Sequence, residues 1–195
     1  MAASERGLAL IDVVVAVGLS LVLAAIAVPV VGGTLDREHA IVGTQYLAAQ
    51  VQRARLESLK RGAAVAVRFE QLDGRTAFQL FVDGNGNGVL QNDIDRGVDP
   101  ALTHVDWLDT HARGVALRIN QPIVDMSSGL AIAPGEDPLR IGNSSLVSFS
   151  PLGSSTSGSL YVAAQRGPQL AIRLYGATGR ARVLMFDAGT RQWRP

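Results

Sequence analysis

Seven residues, Asp83-Gly84-Asn85-Gly86-Asn87-Gly88-Val89, hold the densest cation-binding chemistry in the chain. Side-chain oxygens stand at the first, third and fifth places. A glycine for a sharp turn stands at the sixth, and the Val89 carbonyl follows at the seventh, as in the front half of a calcium loop. The back half departs from the EF-hand rule, because the twelfth place is Ile94, flanked by Asp93 and Asp95. The candidate Ca²⁺ ligands are therefore Asp83, Asn85, Asn87, Val89, Asp93 and Asp95, and the competing reading is a glycine–asparagine turn with solvated acids. Acids crowd this region: Asp83, Asp93, Asp95, Asp99, Asp106 and Asp109 stand against Arg96. Near the C-terminus the sign reverses, with Arg166, Arg173, Arg180, Arg182, Arg191 and Arg194 against Asp187. Arg180 and Arg182 are two apart, so on a strand they share a face, which Arg173 on the preceding strand would extend. Such a surface suits a partner subunit or a phosphate backbone. His39, His104 and His111 have no spacing that makes a metal site or a nucleophile–base pair, so catalysis finds no support.

The element that organises the chain lies upstream. Residues 8–31, LALIDVVVAVGLSLVLAAIAVPVV, are apolar apart from Gly18, Ser20 and one acid, Asp12. At ~1.5 Å per helical residue the run is long enough to cross ~30 Å of hydrocarbon. Small and β-branched residues outnumber leucine, which suits close helix–helix packing. An acid at mid-bilayer costs ~2.5–3.5 kcal/mol, so Asp12 calls for a partner. A secretory signal carries its small-residue cleavage site behind the apolar core, whereas here Gly7 precedes it, behind Glu5 and Arg6.

That arrangement, Arg6-Gly7 then Leu8-Ala9-Leu10-Ile11-Asp12 then a long apolar run with Pro29, resembles the type III signal of type IV pilins and type II secretion pseudopilins. The resemblance implies that a prepilin peptidase cuts the Gly7–Leu8 bond on the cytoplasmic side and methylates the new N-terminus. Three positions depart from the family pattern: Leu8 replaces phenylalanine, Ala9 replaces Thr or Ser, and Asp12 replaces glutamate. An amine freed at Leu8 has a reference pKa of ~7.7–8.0 and is largely cationic. Asp12 of one subunit would neutralise the amine of the next, favouring staggered assembly. Pro29 should kink the helix. The segment QYLAAQVQRARLESLKRGAAVAVRF resembles the GspH/FimT branch, and FSPLGSSTSGSLYVA and AIRLYGATGRARVLMFDAGTRQW resemble its C-terminal hairpins. Gly179-Arg180-Ala181-Arg182 resembles the Gly-Arg-x-Arg motif of that family's DNA-uptake members.

The whole chain has a net charge of +1 and no cysteine, so nothing pulls it globally toward nucleic acid and no disulfide staples it. Ile41, Leu47, Ala48, Val51, Ala54, Ser58 and Leu59 fall at three- and four-residue steps, with a basic last turn and a glycine stop at Arg61-Gly62. Alternating segments predict strands at 63–69, 76–82, 115–120, 146–150, 159–164, 170–175 and 181–186, mostly antiparallel. The expected fold class is α+β, a long, partly transmembrane N-terminal helix packed on a mostly antiparallel sheet domain, pilin-like. Its expected parts are a prepilin leader at 1–7, a transmembrane helix at 8–31, an amphipathic continuation at 32–62 and a β-rich periplasmic domain at 63–195. The resemblance implies a minor pseudopilin of a type II secretion system, not an enzyme. The alternative is a FimT-like minor pilin of a type IV pilus or competence system that contacts DNA. Its partners would be other pseudopilins or pilins, prepilin peptidase, the inner-membrane assembly platform and the inner membrane. No cofactor is required, and Ca²⁺ is the ion the loop admits. The expected placement is single-pass in the inner membrane, N-terminus cytoplasmic and C-terminal domain periplasmic, then in the pseudopilus.

Overall fold

The computed structural model describes residues 3–142 and 144–195, without the side chains of residues 3–9, 24 and 26–32. The chain divides into two compact units, Met1–Leu35 and Asp36–Pro195. A single helix, α1 (Ala3–Arg61), contributes to both.

In the first unit the described apolar side chains of residues 10–23 are exposed, from Val17 at 53% to Leu10 at 69%. Among the described residues no helix is long and apolar enough to cross a membrane. Residues 10–23 cover about 21 Å at the helical rise, short of the ~30 Å of hydrocarbon, and they include Asp12. This corrects two expectations. The fold is not the expected one with a partly transmembrane helix and a pilin-like body; it is sheet-rich, with twelve strands among the described residues, paired in antiparallel sheets. The single-pass inner-membrane placement is likewise overturned.

In the second unit α1 buries a stripe of Ala40, Gly43, Thr44, Leu47, Val51, Ala54 and Ser58. The three- and four-residue spacing keeps these on one face. Leu59, expected on that face, is 45% exposed. The hydroxyls in the stripe are satisfied locally: Thr44 Oγ1 donates to the Ala40 carbonyl at 2.7 Å and Ser58 Oγ to that of Arg55 at 2.8 Å. Gly43 permits close approach, since a Cβ there would stand 2.9 Å from Ala112 Cβ and 2.9 Å from Val115 Cγ1.

Two sheets flank this stripe. The first has the order β3-β2-β1-β8, formed by β1 (Val65–Leu72), β2 (Arg75–Val82), β3 (Asp106–Trp107) and β8 (Leu146–Phe149). The β1–β2 hairpin turns on Asp73 (φ 52°) and Gly74 (φ 72°), the two positive-φ positions of a two-residue hairpin turn. The second sheet has the order β12-β11-β10-β9-β4. It contains β4 (Ala116–Leu117), β9 (Gly158–Ala163), β10 (Leu170–Tyr175), β11 (Arg180–Asp187) and β12 (Gln192–Arg194), with β7 (Leu139–Arg140) also on β9. A small pair, β5 (Ile123–Val124) and β6 (Ala131–Ile132), and two short helices, α2 (Gln91–Asp95) and α3 (Leu108–His111), complete the unit. Val67, Phe69, Leu80, Phe149, Leu160, Val162, Ile172 and Leu174 meet the α1 stripe in one core.

The strand expected at 115–120 is short for a visible reason. Arg118 N still donates to the Tyr161 carbonyl at 3.1 Å, but from there the buried side chain of Gln169 replaces strand pairing: its Oε1 accepts from Asn120 N at 3.0 Å, and its Nε2 donates to the Arg118 carbonyl at 3.0 Å and that of Val162 at 3.1 Å. A buried amide with both ends bonded meets the cost of burying it.

Candidate functional site

Gly7 and Leu8, proposed for processing, and Pro29, proposed for assembly, lie outside the described residues as regards their side chains. Asp12 is described and exposed on α1, set among exposed Leu10, Ile11, Val13 and Val14.

The loop after β2 forms a self-bonded knot. Asp83 Oδ1 accepts from Gly86 N at 2.7 Å and Asn85 N at 3.1 Å, and its Oδ2 from Gly88 N at 2.8 Å. Burial pushes the Asp83 carboxyl up, but the backbone N–H groups of Gly88, Gly86, Asn85 and Asn87 outweigh it and hold it below the usual range. Asp93 Oδ2 accepts from Asn85 Nδ2 at 3.2 Å and Asn87 Nδ2 at 3.0 Å. Gly84 has no room for a side chain, since a Cβ would run into the Val98 carbonyl oxygen. The structure thus brings Asp83, Asn85, Asn87 and Asp93 together. Val89, expected to offer its carbonyl, packs its side chain with Ala66, Phe81, Ile94 and Leu146. Asp95 turns away to Arg68 Nη1 at 3.3 Å and Gln91 Nε2 at 3.0 Å.

A further residue, Asp99, was not among the expected ligands. It is 1% exposed, and its two oxygens accept from Gly84 N and Leu90 N, each at 3.0 Å, closing the loop at both ends. Only its place in the acidic run marked it in the sequence. Among the described residues no three Asp, Glu, His or Cys side chains are grouped to hold a metal ion.

The arginines separate as well. Arg182 stands directly across from Arg173 in the β10–β11 ladder, and Arg180 across from Tyr175. Arg173 Nη1 donates to Ser127 Oγ at 2.5 Å and Ser159 Oγ at 3.0 Å. Arg180 and Arg182 are exposed and have no ion pair or side-chain hydrogen bond among the described residues. The three therefore form one basic face, of which two members are unpartnered.

No family model, curated protein or solved structure matches the chain.

A third cluster escaped sequence reasoning because its members are far apart in the chain. Tyr46 of α1 donates its hydroxyl to Asp106 Oδ2 at 2.6 Å, and His111 Nε2 lies 2.9 Å from Oδ1 of the same carboxylate. The Tyr46 and His111 rings stack at 3.9 Å between centroids. Burial first, then the Asp106 hydrogen bond and charge, push the Tyr46 hydroxyl up to about 12. Burial pushes the Asp106 carboxyl up, but the bonds from Tyr46, His111 and Trp107 N outweigh it, and the carboxyl lies below its usual range. The cluster ties α1 to β3 and α3, and its carboxylate is fully engaged in doing so.

Proposed function

We propose that the chain is a minor pseudopilin of the GspH/FimT type, an assembly subunit of a type II secretion system and not an enzyme. The observation that carries this reading is the described apolar stretch of α1, exposed on every side over residues 10–23 with Asp12 as its one charge. A helix that is apolar all round is normally covered on all sides. Helices of other subunits would cover it, and small and β-branched residues let such helices approach closely. Asp12 would then pair with the amine freed at Leu8 of a neighbouring subunit, since neither charge is tolerated alone in a dry helical core. The mechanism is thus assembly, with the N-terminal helices as the core of a pseudopilus.

A second reading, a FimT-like minor pilin of a type IV pilus or competence system, is favoured by the basic face of Arg173, Arg180 and Arg182. Those side chains would contact phosphates without reading bases, giving weak binding that falls with salt.

Both readings require processing at Gly7–Leu8. Co-expression with a prepilin peptidase, followed by intact-mass analysis, should give a chain beginning at Leu8 with a methylated amine. An unshortened chain, or a cut beyond the apolar run, would remove the proposal.

A further inference from the structure

A row of charge crosses four strands on the outer face of the second sheet. Leu160, Val162, Leu170, Ile172 and Leu174 point into the core shared with the α1 stripe, so Ser159 and Arg173 point outward. The ladder sets Arg140 of β7 opposite Ser159 of β9, Ser159 opposite Arg173 of β10, and Arg173 opposite Arg182 of β11. Directly opposed residues share a face, and like charges so opposed repel. Against these three arginines the described residues offer one paired carboxylate, Glu136, which takes Arg140 Nη2 at 3.0 Å.

Arg173 is the fixed point of the row. Its Nη1 donates to Ser127 Oγ at 2.5 Å and to Ser159 Oγ at 3.0 Å. Ser159 is fully buried. Ser127 is held through its neighbours, because the buried Tyr161 hydroxyl donates to Asp125 Oδ1 at 2.8 Å and accepts from Met126 N at 3.2 Å. The serines thus clamp one nitrogen of the guanidinium. They leave its other edge, Nε and Nη2, unbonded among the described residues and open to solvent. Arg75 uses that same edge to grip Asp109, by Nε at 2.7 Å and Nη2 at 3.1 Å. Ser127 accepts from Arg173 and so keeps its own O–H to donate. Arg140 Nη1 is likewise unbonded and open.

We propose that this row is a binding site for a dianionic tetrahedral oxyanion, the terminal phosphate of a phosphate monoester. The Nε–Nη2 edge of Arg173 takes two of its oxygens as a bidentate pair, and Ser127 donates to one of them. Arg182 stands one strand away and Arg140 two, roughly 5 and 10 Å at the backbone, which long side chains leaning inward can span. Charge selects the ligand class. Three guanidiniums less one carboxylate leave a surplus of two, which a phosphate monoester offsets with its charge of about −1.5 to −2 at pH 7. A carboxylate or a phosphodiester brings a single charge. The site is built on β7, β9, β10 and the loop between β5 and β6, and Arg182 enters by register alone, so no sheet edge takes part. The inference stands apart from both assembly readings, and it differs from DNA contact because a DNA backbone offers diesters.

The test titrates the full chain with small anions at low ionic strength, read by calorimetry. Methyl phosphate, inorganic phosphate and sulfate should bind alike, and dimethyl phosphate and acetate should bind roughly tenfold more weakly or not at all. Arg173→Lys keeps the charge but loses the fork, and should weaken methyl phosphate by roughly tenfold. Arg113→Ala removes an exposed charge elsewhere and should change nothing. The anion series uses the unaltered chain, so a variant that misfolds does not blur the result. Methyl phosphate that fails to bind, or binds no better than dimethyl phosphate, overturns the proposal. So does a folded Arg173→Lys chain that binds methyl phosphate as tightly as the unaltered one. Duplex DNA bound by a chain that ignores methyl phosphate also overturns it and assigns the arginines to diesters.

Discussion

Tyr46 and Asp106, sixty residues apart in the chain, are joined by a 2.6 Å hydrogen bond that fastens α1 to the edge of the first sheet. Tyr46→Phe keeps the ring stacked on His111 and removes only that donor. The carboxylate retains His111 and the Trp107 N–H at 2.8 Å. The loss should be about 1.5–3 kcal/mol, the range for a hydrogen bond to a charged group. Urea unfolding would measure it, and an unchanged midpoint would show the bond to be incidental.

Both Tyr46 and Tyr161 have hydroxyls pushed up to about 12, each mainly by burial. A raised pKa means that the folded state holds its proton more tightly than the unfolded chain. The associated stability is complete below the usual tyrosine value of ~10 and is lost as pH rises from there toward about 12. The carboxylates run the other way. Asp83, Asp106 and Asp125 lie below the usual range, so their contribution is present above the unfolded value of ~3.9 and lost as pH falls beneath it. Ultraviolet titration should show two tyrosines ionising late, at about 12. Both ionising near the usual value would contradict the burial of Tyr161 and the Tyr46–Asp106 bond.

Gly43 and Gly33 both lie on α1 and should respond oppositely to alanine. At Gly43 a Cβ would collide with Ala112 and Val115 at 2.9 Å, so Gly43→Ala should cost about 1–3 kcal/mol by overpacking. At Gly33 nothing lies within 4 Å, so Gly33→Ala should favour the helix by roughly 0.5–1 kcal/mol. Circular dichroism melts of the two variants would decide it; equal effects would mean that α1 does not approach the 112–115 segment this closely.

Asp99 and Asp95 make a second contrasting pair. Asp99→Ala leaves Gly84 N and Leu90 N unpaired in a buried setting, at a cost of about 2–4 kcal/mol for two lost acceptors. Asp95 forms an exposed pair with Arg68, so Asp95→Ala should change stability by less than about 1 kcal/mol. Chemical denaturation would rank them, and a reversed order would displace Asp99 as the clasp of the loop.

Asp12→Ala should still be processed, yet should co-assemble poorly with partner pseudopilins, whereas Asp12→Glu should be tolerated. Crosslinking of co-expressed subunits would read this. Full incorporation of the alanine variant would leave the acid without a role in assembly.

Local signals in the chain located many of the elements. The alternation of Val65, Val67 and Phe69, and of Phe78, Leu80 and Val82, together with Asp73-Gly74, marks the first hairpin on local grounds alone. Main-chain geometry explains why: period-two burial and a positive-φ turn are properties of neighbouring residues. The Leu47, Val51, Ala54 and Ser58 stripe is legible for the same reason. The apolar run at residues 8–31 was legible as apolar, but its composition did not establish a membrane span, and the described stretch is too short for one.

Three decisions belong to the tertiary structure. Which acids meet at the loop depended on the chain folding back, so Asp99 joined the knot and Asp95 left it for Arg68. The Gln169 side chain displaced a strand that alternation alone supported. Tyr46, Asp106 and His111 met because a helix and a sheet edge packed together, and no spacing in the sequence encodes that. Sequence determines what each residue can bond to locally, through backbone preference and side-chain type. Only packing determines which of those bonds are made at long range, because burial leaves a polar group no alternative but the partner that the fold brings to it.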